Sequence, residues 1–322
     1  MRAIRVVRPG GPEVLELTDV PAPIPDTGEV LVRVAAAGVN RADLLQRMGR
    51  YPPPPDVPPD IPGLEFAGVV EDAGNEVTGW QAGDRVMGLA SGATYAEFVV
   101  ASAEHLLRVP ETWSLERAAA VPEAYYTAYD ALEQLTVRAG QRVLVHAVGS
   151  SVGVALIHLA VSRGASTTGT SRSAWKLERA RALGVEGSVL VEERFEPSDA
   201  LRDRFDAICD LVGGHYVTAD LACATSGGRI IVIGLTAGRS AMLDLGQLLR
   251  KRITLIGTVL RSRTDAEKAH LTARVRRDVL PLFDDGSVAP VVDRIFPMAD
   301  AADAHRFLES NGNFGSVVLR WV

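Results

Sequence analysis

From residue 142 to residue 260 the sequence alternates short apolar, β-branched runs with stretches of helical spacing, and this alternation restricts the fold more than any other feature. "RVLVHAV" precedes the helical "SVGVALIHLAVSRG", and "ASTTGTS" precedes "AWKLERARALG". "GSVLV" and "FDAICDLVG" follow, then the helical "HYVTADLACA", and the series closes on "GRIIVIGL" and "RITLIGTVL". Six such strands with crossover helices predict a parallel, doubly wound sheet covered on both faces. The amphipathic "EAYYTAYDALEQL" leads into it as a helix.

The first 120 residues follow another rule. "RAIRVVR", "EVLVRVAAAGV", "FAGVVEDAG", "DRVMGL" and "YAEFVVAS" are β-branched runs bounded by turn formers, which predicts an irregular, mostly antiparallel barrel. The cluster "YPPPPDVPPDIPG", residues 51 to 63, lacks ladder donors and is expected as an extended surface loop. After residue 264 come a helical stretch, "DAEKAHLTARVRRDVLPLF", the strand-like "VVDRIFP", a helix over 299–309 and a last strand, "GSVVLRWV". A chain of 322 residues exceeds one ordinary core. The expected division is 1–123, 124–264 for the sheet, and 265–322 as a segment returning to the first domain.

Composition narrows the function classes. A 47% hydrophobic and 23% charged chain is an ordinary globular one, and a net charge of -6 argues against a nucleic-acid partner. The triplets "RKR" (250–252) and "RSR" (261–263) are the dense basic patches, expected as solvated rims. Cys209 and Cys223 have neither disulfide nor zinc spacing, and the N-terminus lacks a signal-peptide core, so a reducing, cytoplasmic setting is expected. Residues 143–162 hold no formally charged side chain, yet their central Gly-Ser-Ser and two histidines point to strand, turn and helix, not to a membrane span.

In a doubly wound sheet a ligand sits where the first strand feeds a helix N-terminus. Here that junction is "HAVGSSVGVA", where Gly149, Ser150, Ser151, Val152 and Gly153 offer backbone N–H groups to a pyrophosphate. The second strand ends "TGTSRS", with no acid for a ribose hydroxyl. Ser171, Arg172, Ser173 and the nearby Lys176 instead suit a 2′-phosphate, which favours NADPH.

The whole chain resembles the medium-chain dehydrogenase/reductase superfamily, closest to zinc-free quinone oxidoreductases of the zeta-crystallin type and, within them, the tumour-suppressor-inducible subgroup. The segments that carry the likeness are "GVNRADLLQRMGRYPPP", "PGLEFAGVV", "GDRVMGL", "AEFVV", "PEAYYTAYDAL" and "LRSR", in that order. The resemblance implies a GroES-like barrel joined to a Rossmann domain, and hydride transfer from NADPH to a quinone held between the domains. Zinc-dependent relatives carry Gly-His-Glu where this chain has Gly63-Leu64-Glu65, and cysteine where it has Asn40, so no metal is expected. Glu65 is then a structural buried acid, expected to pair with backbone donors or with Arg41 or Arg47.

Asn40, Asp43 and Tyr51 are the candidate catalytic residues: Asn40 as donor to a carbonyl oxygen, Tyr51 as ring platform or hydroxyl donor, and Asp43 equally as a helix N-terminal charge. The resemblance also implies cofactor contacts at Thr127, Gly234, Leu235, Arg261 and Asn313. Ser151 stands where relatives carry glycine, Val191 where many carry tyrosine, and Ser316 where lysine is common. Alternatives of the same architecture are an enone or enoyl reductase and a nucleotide-binding, crystallin-like protein without turnover. The apolar sixth strand, expected at a sheet edge, predicts a homodimer.

Overall fold

The computed structural model describes residues 1–55 and 57–322; residue 56, within the proline cluster, lies outside the described residues. The elements run β1 (Arg2–Val6), β2 (Leu15–Asp19), β3 (Glu29–Val39), α1 (Arg41–Arg47), β4 (Glu65–Ala73), β5 (Arg85–Leu89), β6 (Phe98–Ser102), β7 (Leu106–Arg108), α2 (Leu115–Ala118) and α3 (Pro122–Gln134). Then come β8 (Arg142–Val145), α4 (Ser151–Ser162), β9 (Ser166–Ser171), α5 (Ala174–Arg181), β10 (Gly187–Leu190), β11 (Phe205–Asp210), α6 (His215–Cys223), β12 (Ala224–Val232), α7 (Leu245–Lys251) and β13 (Thr254–Gly257). The chain ends with α8 (Asp265–Asp278), α9 (Leu280–Asp284), β14 (Val292–Pro297), α10 (Ala301–Glu309) and β15 (Ser316–Arg320).

These form two compact units, Met1–Tyr126 with Arg261–Val322, and Thr127–Leu260, so one boundary falls inside α3. In the first unit a seven-stranded sheet runs β14-β15-β3-β4-β5-β7, with β6 also on β3. Its pairings are antiparallel except β14 with β15. Strand β3 organises it. Its alternation buries Val30, Val32 and Val34 against Phe66, Val70, Val86 and Leu106, and two register shifts against β4 curl it. A second core packs Leu44 of α1 with Tyr95, Ala301, Ala304 and Leu308, which fixes α1 and α10 on the same cluster.

The second unit is a six-stranded sheet in the order β10-β9-β8-β11-β12-β13, with every neighbouring pair parallel. Strand order reverses between β8 and β11, and a ligand crevice belongs outside the carboxyl ends of strands at such a point. The uncharged stretch 143–162 resolves into the end of β8, a turn and α4, and among the described residues no helix is long and apolar enough to cross a membrane.

Some expectations need correction. The proline cluster was expected at the surface, but its far end, Ile61 to Gly63, is buried, because those residues abut the core around Tyr95. Nor are the basic triplets mere rims. Lys251 donates to the Leu221, Ala222 and Ala224 carbonyls below α6, and Arg261 is buried. Strands β2 and β7 and helix α7 were not anticipated, since each is short and lacks clean periodicity.

A side chain at Gly153 has nowhere to go, because a Cβ there would lie 2.6 Å from the Ala147 carbonyl oxygen, a backbone atom that cannot yield. Gly153→Ala is expected to cost about 1–3 kcal/mol. A melting temperature equal to that of the parent chain contradicts this close packing.

Candidate functional site

The first unit's candidate site starts where β3 meets α1. Asn40 is extended (φ -115°, ψ 157°) and caps α1, and Asp43, one turn on, turns back to accept its N–H at 2.7 Å. The Asp43 carboxylate also takes the Gly63 N–H at 3.2 Å and the Tyr95 hydroxyl at 3.2 Å. Gly63 holds φ +105°, and a Cβ there would meet Thr94 Oγ1 at 2.1 Å, so only glycine brings this N–H to Asp43. Glu65 opens β4. Its Oε1 accepts the Asn40 side-chain amide at 2.7 Å and its Oε2 the Glu123 backbone N–H at 2.9 Å. Space for that carboxylate exists because residue 38 is glycine: a Cβ would sit 2.0 Å from Glu65 Oε1.

Three acids are thus gathered in a poorly solvated place. Burial pushes Glu65 up to about 8, against hydrogen bonds from Asn40 and Glu123 that favour the anion. Burial also raises Glu123 to about 7, with repulsion from Asp43 adding to it and Arg261 and Lys268 opposing. Asp43 rises to about 6, again through burial, with its hydrogen bonds and Arg261 holding it lower than burial alone would.

Tyr51 begins the proline cluster beside them. Its ring lies under the Arg261 guanidinium at 4.9 Å, and Arg261 also donates to the carbonyls of Tyr51 (3.3 Å) and Ser91 (2.9 Å) and to Gln46 Oε1 (2.8 Å). Gln46 in turn donates to the carbonyls of Pro59 and Ile61, so one arginine and one glutamine staple the loop to α1. Among the described residues no group accepts from or donates to the Tyr51 hydroxyl. Burial, with Glu123 second, raises its pKa, so it remains a proton-bearing donor.

The structure therefore brings Asn40, Asp43 and Tyr51 together in one unit, with a correction for Glu65. Its partners are an amide and a backbone N–H, not an arginine: Arg41 reaches Asn311, while Arg47 holds Glu309, His305 and the Gly10 carbonyl. Of the residues assigned to the cofactor, Arg261 turns its guanidinium to Ser91, Tyr51 and Gln46, and Asn313 donates to the Gly315 carbonyl at 2.7 Å. Glu123 was missed. It stood in the quoted "PEAYYTAYDAL" but has no helical or metal spacing to single it out, and only the fold sets it near Tyr51 and Asp43. Tyr95, His305 and Arg47 lie too far apart in sequence to signal a joint role.

In the second unit Gly149 to Gly153 form the turn from β8 into α4. Ser150 caps α4: its Oγ accepts the Gly153 N–H at 3.1 Å and donates to the Ala147 carbonyl at 2.9 Å. The cap leaves the Ser151 and Val152 N–H groups for an anion at the helix's positive end. Arg172 is exposed at the end of β9, beside Ser171, whose Oγ accepts the Ser173 N–H at 3.1 Å. Lys176 is buried, with its methylenes packed where a Gly149 side chain would be. Thr127 is buried in α3, and Gly234 and the exposed Leu235 follow β12. This turn, with free amide donors and an exposed arginine on the next strand, fits a dinucleotide phosphate group.

The donor set around Asn40 does not fit a catalytic zinc. The Leu64 side chain offers no lone pair, Asn40 presents an amide N–H to Glu65, and each Glu65 oxygen already accepts an N–H donor. Among the described residues no group of three or more His, Cys, Asp or Glu side chains is arranged to hold a metal.

Residues 26–111 match the alcohol dehydrogenase GroES-like domain and residues 183–319 match the zinc-binding dehydrogenase family. The mouse (Mus musculus) quinone oxidoreductase is 32% identical over 99% of this chain and 97% of its own. A solved NAD-dependent alcohol dehydrogenase is 31% identical, with TM-score 0.86 over the full length of both chains. A mycobacterial protein solved with NADPH is 29% identical, with TM-score 0.87 over 99% of this chain and 100% of that one.

Because Glu65, Glu123 and Asp43 all titrate above their ordinary ranges, the folded chain keeps protons that the unfolded chain has released. His158 and His305, held neutral by burial, slope the other way below about 6.5, whereas the stability that the three acids contribute is expected to fall as pH rises from about 4 to about 8. In Glu65→Gln, which cannot ionise, that slope flattens, as read from melting temperatures across the range. A Glu65→Gln chain whose stability has the same pH slope as the parent contradicts the assignment.

Proposed function

This chain belongs to the medium-chain dehydrogenase/reductase superfamily and is an oxidoreductase, and from that premise we propose that it is a zinc-independent, NADPH-dependent reductase of quinones. The observation that carries the reading is the 2.7 Å hydrogen bond from Asn40 to Glu65: a carboxamide locked to a buried acid stands at the position where zinc-dependent relatives hold a metal ligand. Oxidising a simple alcohol calls for a Lewis acid, whereas a quinone is electrophilic enough to be reduced without one.

The Gly149–Gly153 turn would hold the pyrophosphate and Arg172, with Ser171 and Ser173, the 2′-phosphate; a reduced nicotinamide bound there supplies the hydride. In the first unit the Tyr51 hydroxyl, unpartnered among the described residues, is the donor for a carbonyl oxygen of the acceptor. Its ring, backed by Arg261, is a flat surface for a quinone. Asn40 uses one amide N–H on Glu65 and keeps a second for an oxygen on which charge develops. Glu123, held near neutrality, keeps a proton close to Tyr51.

We also propose a homodimer. Strand β13 ends its sheet with an unpaired edge, and exposed apolar side chains cluster in sequence around it: Met242 (87%), Leu245 (62%) and Leu249 (75%) before it, and Val259 (53%) after it. A second copy pairing along that edge covers them.

NADPH oxidation with a panel of ortho- and para-quinones is expected to show turnover, and Tyr51→Phe to lower kcat/KM roughly tenfold through one lost hydrogen bond. Turnover with enones alone, or with no acceptor, refutes the quinone assignment. Arg172→Ala is expected to raise the KM for NADPH by about ten- to a hundredfold and to leave NADH use unchanged. An equal effect on both dinucleotides removes the 2′-phosphate assignment. Light scattering at micromolar concentration is expected to give twice the chain mass, and a monomer rejects the edge pairing.

A further inference from the structure

Behind Asp43 runs a buried chain of polar groups for which the proposed reaction has no use. Arg47, at the end of α1, is fully buried and forms an ion pair with Glu309 of α10. It also donates to the Gly10 carbonyl at 3.1 Å, and its Nη1 lies 3.4 Å from His305 Nδ1. His305 and Glu309 stand four residues apart on one face of α10, so the helix grips the guanidinium with two side chains. His305 Nε2 is 3.2 Å from the Tyr95 hydroxyl, which is 3.2 Å from Asp43 Oδ2. Tyr95 and His305 are buried and meet edge to face, with ring centroids 5.8 Å apart.

The chemistry of the groups sets the direction of every bond. Arginine only donates, so His305 Nδ1 accepts and the ring proton sits on Nε2. That proton goes to the Tyr95 oxygen, which leaves the Tyr95 proton for Asp43. Burial and the neighbouring Arg47 charge both hold His305 neutral, down to about 3, as this arrangement requires. Three donors in a row therefore point at one carboxylate, and that carboxylate pins the Asn40 and Gly63 backbones.

We propose that His305 and Tyr95 are positioning residues for the candidate site, carrying the polarity of the Arg47 cation along a one-way hydrogen-bond chain to Asp43 and so keeping that carboxylate an anion that holds Asn40 in register. The C-terminal helix thereby governs a loop 258 positions earlier in the sequence, measured from Arg47 to His305. The charged and titratable neighbours of Asp43 are Glu65, Glu123, Tyr51 and Arg261, besides the chain itself. Of these only Arg261 favours its anion, so the chain supplies what the acidic surroundings oppose. The link to catalysis rests on the reading of Asn40 as a group facing the acceptor; the link to Asp43 does not.

The test is an infrared titration of the full-length protein in which the Asp43 carboxyl band is assigned by difference against Asp43→Asn. In the parent chain the band is expected to titrate near pH 6. Tyr95→Phe keeps the ring and removes the donor, and is expected to move the titration upward by about one pH unit or more. His305→Leu is expected to do the same, whereas His305→Gln, whose amide both accepts and donates, restores the parent value. Where quinone turnover is present, the acid limb of kcat/KM moves in parallel. Unchanged Asp43 titration in Tyr95→Phe, or equal behaviour of the leucine and glutamine variants at position 305, overturns the proposal. Shifted titration in a protein that reduces no quinone sustains this inference and counts against the functional reading alone.

Discussion

The structure of the candidate site depends on a carboxyl group placed where water cannot reach it. Glu65 is almost wholly buried, and a buried carboxyl needs partners that repay its lost hydration. Two N–H donors do so, the Asn40 amide and the Glu123 backbone, and each commitment shapes the site. The first fixes which way the Asn40 amide faces. The second brings the start of α3, with the Glu123 side chain, against the start of β4. Gly38 leaves room for the carboxylate. Replacing any of these would disturb the others, because they share one pair of oxygens.

On the proposed reading, the same arrangement takes the place of zinc ligands in a chain with a region of the zinc-binding dehydrogenase kind. A Lewis acid stabilises charge on an oxygen from a single point. Here the available groups are neutral donors and acids near neutrality: one Asn40 N–H, the Tyr51 hydroxyl and the Glu123 carboxyl. In the proposed reaction such a set serves an acceptor already prone to take a hydride. The cations nearby, Arg261 and Lys268, are occupied in holding Tyr51, Gln46 and Ser91, and they act on the acids through their field.

Much of this was legible in the sequence, for physical reasons that differ by region. The six parallel strands were readable because burial on both faces imposes continuous apolar runs, and the turn at Gly149 to Gly153 because small residues must stand where a strand feeds a helix. Asn40 and Tyr51 were singled out through the family likeness of "GVNRADLLQRMGRYPPP", and no periodicity points to them. What sequence withheld were contacts between distant positions. For Glu65 the sequence offered backbone donors or an arginine, Arg41 or Arg47; the fold sends Arg47 to α10 and gives Glu65 the Glu123 backbone N–H together with the Asn40 amide, which nothing nearby in sequence signals. Tyr95 and His305 look like ordinary core residues until α10 is seen packing beside α1. Strands as short as β7 carry too few residues to show alternation at all.

The central claim is that this oxidoreductase works through the Asn40–Glu65 pair and its neighbours, with no metal at that position. Metal analysis by mass spectrometry on protein that is fully active in NADPH-dependent quinone reduction, before and after exhaustive chelation, tests it most directly. The account predicts zinc far below one equivalent per chain and turnover indifferent to chelation. Stoichiometric zinc whose removal abolishes turnover, and whose return restores it, would contradict it.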